Sequence, residues 1–133
     1  MKKMFIFKKL LLVLIILVIL FFSIKMNTHI YVGDFSYYNP NPPIYAQIKV
    51  DGDTIYSDSL GNNPFKCIKL TRKLRYGIHT VHAISKEMNV EKTSKIFLLP
   101  NQFIIVEYHP VCLPYNEKAT FTISTLFNPF YYE

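Results

Sequence analysis

Residues 44–56 read IYAQIKVDGDTIY. Ile44, Ala46, Ile48 and Val50 alternate with Tyr45, Gln47 and Lys49, the period of two that places one set of side chains on an apolar face and the other toward water in a half-buried strand. Asp51-Gly52 then separates this run from a second β-rich run, and that residue pair best tolerates the positive φ angles of a type I′ hairpin. The stretch therefore predicts two antiparallel strands joined by a tight turn.

The same pattern extends outward. Downstream, KCIKLT, IHTVHAIS, TSKIFLL, FIIVEYH and ATFTISTLF read as further strands, with breaks at GNNP, Gly77, KEMN, PNQ and across PVCLPYNE. Upstream, THIYVGDFSYY reads as a first strand and NPNPP as a loop, since Pro40, Pro42 and Pro43 cannot donate to a ladder. The unbroken apolar run of FIIVEYH predicts a central strand covered on both faces. In ATFTISTLF, alternation places Phe121, Ile123 and Phe127 inward and Thr120, Thr122 and Ser124 outward. Close strand spacing, no helical pattern after residue 25 and no internal repeat predict an all-β chain. The expected fold is an antiparallel β-sandwich of about 7–8 strands, preceded by one N-terminal transmembrane helix.

That helix is read from residues 1–27, MKKMFIFKKLLLVLIILVILFFSIKMN. The fifteen residues Leu10 to Ile24 contain one polar side chain, Ser23, and would rise about 22 Å as a helix. Adding Met4 to Phe7 brings the length to about 31 Å, close to a hydrocarbon core of about 30 Å, provided Lys8 and Lys9 snorkel toward the headgroups. A secretion signal needs small residues before its cleavage point. FFSIKMNTHIYVGDF offers Ser23 with Lys25 and Thr28 with Ile30, and no Ala. A lipoprotein signal needs a Cys just after the apolar run, whereas the first is Cys67. The reading favoured is an uncleaved signal-anchor, with a cleaved secretion signal as the alternative. Residues 1–25 then form a lysine-rich cytoplasmic tip and transmembrane helix, and residues 26–133 an extracytoplasmic domain.

Lys2, Lys3, Lys8 and Lys9 precede the apolar run, and flanking positive charge is retained in the cytoplasm. The chain carries 15 Lys+Arg against 9 Asp+Glu, but from Met26 onward ten bases face nine acids. The net charge of +6 is thus mostly a topology signal, and no nucleic-acid partner is expected. The absence of a Glu near the start of the apolar helix argues against a pilin-type subunit.

IKVDG followed some twenty-five residues later by LRYGIHTVHAIS resembles the hairpin and G-x-H-x-V strand of PEGA-type domains, small extracytoplasmic β-sandwiches of bacterial envelope proteins. The resemblance covers about residues 48–85. The Pro-Glu-Gly-Ala segment itself is absent, and SLGNNPF is inserted. It implies an envelope location and a non-catalytic binding or scaffolding role, and supplies no site residues.

The residues able to carry chemistry or recognition are the histidines, cysteines and aromatic side chains. His79 and His82 are three apart, which on a strand sends them to opposite faces. They should not share a metal: His79 is expected on the inner or edge side and His82 in solvent. His29 and His109 stand elsewhere, and no H-E-x-x-H or C-x-x-C is present, so neither metal nor cofactor is expected. Cys112 follows His109 by three residues in a Pro-interrupted stretch. With Glu107 the pair forms the alternative reading, a small secreted hydrolase. Cys67 and Cys112 are the only cysteines. On the extracytoplasmic side they form either a disulfide, worth about 4 kcal/mol in the chain-entropy model, or two buried thiols.

KCIKLTRKLR carries Lys66, Lys69, Arg72, Lys73 and Arg75, which fit a solvated face, with an anionic headgroup or wall polymer as the competing reading. Phe127, Phe130, Tyr131 and Tyr132 near the C-terminus are candidate partner-binding residues, or else fold back over apolar surface. The functional expectation is a membrane-anchored extracytoplasmic binding or scaffolding module without catalytic activity. Its partners would be membrane lipid, through the helix, and an envelope protein. A purely structural surface protein is a third reading.

Overall fold

The computed structural model describes residues 2–34, 43–61, 67–111 and 118–127. Helix α1 (Lys2–Ser23) precedes strands β1 (Lys25–Asp34), β2 (Ile44–Val50), β3 (Asp53–Leu60), β4 (Ile68–Arg75), β5 (Gly77–Ser85), β6 (Val90–Leu98), β7 (Phe103–His109) and β8 (Thr120–Leu126). The strands form two four-stranded sheets, in the orders β4-β1-β7-β8 and β3-β2-β5-β6. Apolar residues of both sheets join in one buried cluster. Ile30 and Val32 of β1 and Ile104 and Val106 of β7 meet Ile44, Ala46, Ile48 and Val50 of β2 and Val81 and Ala83 of β5.

The β2–β3 hairpin follows the sequence pattern closely. Its turn has φ of 53° at Asp51 and 91° at Gly52, and Val50 pairs with Asp53 across it. Register slips between Ile48 and Lys49, so Ile55 is the extra residue of a β-bulge and both Ile55 and Tyr56 lie against the core.

Several boundaries and one pairing differ from the sequence reading. β1 starts at Lys25, three residues before Thr28, because Lys25, Met26 and Asn27 pair with Arg75, Leu74 and Lys73 of β4. β6 starts at Val90 because its first residues pair with the end of β5 across the 86–89 turn. The sheets are not wholly antiparallel, since β1 and β7 run parallel, Ile30 beside Ile104 through Asp34 beside Tyr108. Parallel neighbours need a long crossover, and here β2 to β6 supply it. Phe127, expected inward, is 61% exposed because β8 ends one residue earlier.

β7 is covered on both faces, as its apolar run predicted. Ile104, Val106 and Tyr108 belong to the inter-sheet cluster. Ile105 points the other way and is 1% exposed, as is Tyr31 beside it on β1.

The connections fix which end of the domain meets the helix. β1, β3, β5 and β7 run away from α1, and β2, β4, β6 and β8 run back toward it. The near end therefore gathers the Asp51-Gly52 turn, the single residue Tyr76 between β4 and β5, the 99–102 turn and the end of β8. The 86–89 turn lies at the far end.

Candidate functional site at the helix junction

α1 is continuous through Lys8 and Lys9, and its 22 residues rise about 33 Å. No residue from Ile6 to Ser23 is buried. Its one hydroxyl there, Ser23 Oγ, donates to the Ile19 carbonyl at 2.8 Å, the internal bond that lets a Ser sit in an apolar medium. Ile24 alone separates the helix from β1. The Phe21 ring stacks on Tyr76, centroids 5.0 Å apart with 25° between planes, an offset contact worth about 0.5–1.5 kcal/mol. Phe22 lies over Gly77, where a Cβ would come within 3.6 Å of the ring. Space would allow that contact. The Gly77 φ of 115° is what favours glycine there.

Just inside this junction, His79 ties two turns together. Its Nδ1–H donates to Asp51 Oδ2 at 2.6 Å and its Nε2–H to the Arg75 carbonyl at 2.7 Å. The Thr80 amide donates to Asp51 Oδ1 at 2.9 Å, while the Asp51 amide donates to the Thr80 carbonyl at 2.8 Å. Partial burial pushes the Asp51 carboxyl up, but the bonds from His79 and Thr80 and the charge of His79 together leave it below its ordinary value. His79 is buried, while His82 is partly exposed and bonds Glu91 at 2.7 Å. The opposite-face expectation thus holds for the pair. The sequence reading left Asp51 as a turn residue only. Nothing local marks it as the partner of a histidine twenty-eight positions away, since only the β2–β5 pairing brings them together.

Of the remaining histidine and cysteine candidates, the described His109 and Cys67 fall at the far end. His109 and Glu107 approach at 3.3 Å. The Cys67 thiol is pushed up by burial and then by the charge of Glu107, the opposite of what an activated nucleophile needs. Cys112, the other half of the proposed disulfide and of the hydrolase reading, lies outside the described residues, as do Phe130, Tyr131 and Tyr132. Among the described residues no three His, Cys, Asp or Glu side chains gather as a metal site. The basic run forms the edge strand β4. Lys69, Lys73 and Arg75 are exposed there, and Lys69 Nζ sits 5.6 Å from the Tyr31 ring centroid. Charged side chains on an edge discourage strand addition by other chains.

No protein-family model, curated protein or solved structure matches the chain.

Proposed function

We propose that this chain is a membrane-anchored extracytoplasmic β-sandwich that binds or scaffolds another envelope component and performs no chemistry of its own. The observation that carries the anchor is α1: a run of apolar side chains, none buried against the β domain, has no stable place in water and is long enough for a hydrocarbon core. The lysines on its N-terminal side favour a cytoplasmic N-terminus and an external β domain.

Support for the PEGA-type likeness comes from the two segments that carry it. They lie side by side, Gln47 to Val50 opposite Val81 to Ile84. The binding role rests on the sequence: Phe130, Tyr131 and Tyr132 are aromatic side chains of the kind enriched at interfaces. The hydrolase alternative has the His109–Glu107 contact in its favour, and the raised Cys67 thiol speaks against that cysteine as its nucleophile.

Membrane fractionation of the full chain tests the anchor. The protein should stay in the pellet after alkaline carbonate washing, with its N-terminal residues intact by mass spectrometry. A mature N-terminus at or beyond residue 25 would replace the anchor with a secreted domain. For the binding role, deletion of residues 128–133 should reduce recovery of any cross-linked envelope partner while the β-sheet circular dichroism is retained.

A further inference from the structure

We propose that the helix-proximal end of the β domain is itself a lipid-facing surface, seated in the headgroup layer of the membrane that α1 enters. This rests on the anchor reading above and adds a contact that the anchor alone does not require.

The connection between helix and sheet is the first reason. Only Ile24 separates Ser23 from Lys25, and one extended residue spans at most about 3.6 Å. The headgroup layer on each side of the hydrocarbon core is about 5–8 Å deep. A domain joined so closely, and held further by the Phe21–Tyr76 stack, cannot stand clear of that layer.

The distribution of exposed apolar side chains is the second. Met26, Ile78, Phe97, Leu99, Leu126 and Phe127 are all exposed and all at the near end. β6 and β8 lie against each other across the two sheets and both run toward this end, which brings Phe97, Leu99, Leu126 and Phe127 to one side of it. Ile78 pairs directly with Phe97. On the rest of the domain, among the described residues, the exposed large apolar side chains are Tyr45, Met88 and Val111, each at the far end. In water this asymmetry would be costly, whereas at a bilayer interface it matches the place where aromatic and aliphatic side chains are favoured.

Charge agrees with this placement. Lys25, Lys73 and Arg75 are exposed on the side of the near end formed by β1 and β4, where ammonium and guanidinium groups reach lipid phosphates. Among the described residues the acids at this end are Asp51 and Asp53 of the hairpin, and Asp51 is held by His79 and Thr80.

The chain contains no Trp, so single Trp substitutions report one position each. Full-length Phe97→Trp, Phe127→Trp and Tyr45→Trp variants would be reconstituted in phosphatidylcholine–phosphatidylglycerol vesicles containing lipid brominated near the glycerol end of its acyl chains. Flotation would establish that each chain is retained. The Phe97→Trp and Phe127→Trp variants should be strongly quenched, because the interface is where their rings and the bromines would meet, and Tyr45→Trp should lose almost none. Retention in the vesicles without quenching at either near-end position would overturn the lipid-facing surface while leaving the anchor intact. Loss of the chain from the vesicles would overturn both. Quenching that disappears only as protein density rises would be consistent with the surface meeting lipid when single. Absence of quenching at every density, with a blue-shifted emission that reddens on dilution, would assign the face to a second copy and reject the proposal.

Discussion

The two sheets bury their strands in different ways. In β3-β2-β5-β6 the central strands alternate: Ile44, Ala46, Ile48 and Val50 are buried while Tyr45 faces water, and His79, Val81, Ala83 and Ser85 are buried while Ile78 is exposed. In β4-β1-β7-β8 the central pair is closed on both faces. Ile30, Val32, Ile104 and Val106 meet the other sheet, and Tyr31 and Ile105 are equally inaccessible on the opposite side. The first sheet is one wall of a core. The second is a layer between two covered faces, and that is why its parallel pair can tolerate an unbroken apolar run.

Truncation should break or sharpen this contrast. Ile48→Ala, at a site with 0% exposure, should cost about 2–5 kcal/mol in urea denaturation, whereas Lys49→Ala on the wet face should stay within about 0.5 kcal/mol. Ile105→Ala tests the second sheet's other face. At 1% exposure it should cost about 2–3 kcal/mol, and a loss no larger than that of Lys49→Ala would mean that both sheets have one wet face.

The two histidines of β5 carry the comparison to polar groups. His79→Ala would leave the Asp51 carboxylate and the Arg75 carbonyl without their donor, at a cost of about 1–3 kcal/mol. His82→Ala removes an exposed pair with Glu91 and should change stability by less than about 0.5 kcal/mol. Equal losses at the two positions would show that the His79 bonds add nothing to the first sheet.

The smallest expected effect is a pH dependence. Folding lowers the Asp51 carboxyl below its ordinary 3.8. Its contribution is therefore complete above the unfolded value and is lost as pH falls through the lower folded value. Urea midpoints measured from pH 6 downward should show the wild type losing its advantage over Asp51→Asn only below 3.8. A constant difference across that range would separate Asp51 from the acid limb.

Much of the fold was legible because its signals are local. Alternation in residues 44–50 reports one buried face, Asp51-Gly52 supplies positive φ, and the apolar run of β7 reports burial on two faces. The boundaries of β1 and β6 were less so, since Lys25 and Val90 are strand residues only through their partners Arg75 and Ser85. Of the junction site, the apolar helix and its lysine flank could be read directly. The His79–Asp51 contact could not, because a hydrogen bond between distant residues leaves no periodicity in either segment.

By itself the sequence determined the β character of the domain, the hairpin at Asp51-Gly52 and an N-terminal helix too apolar for water, each dictated by the chemistry of neighbouring residues. Tertiary structure alone decided that β1 lies parallel to β7, that His79 closes on Asp51 and Arg75, and that Ile78, Phe97 and Phe127 share one end with the helix exit. Those outcomes depend on which strands become neighbours, and strand order is set by packing two whole sheets around a common core, a property that no single segment contains.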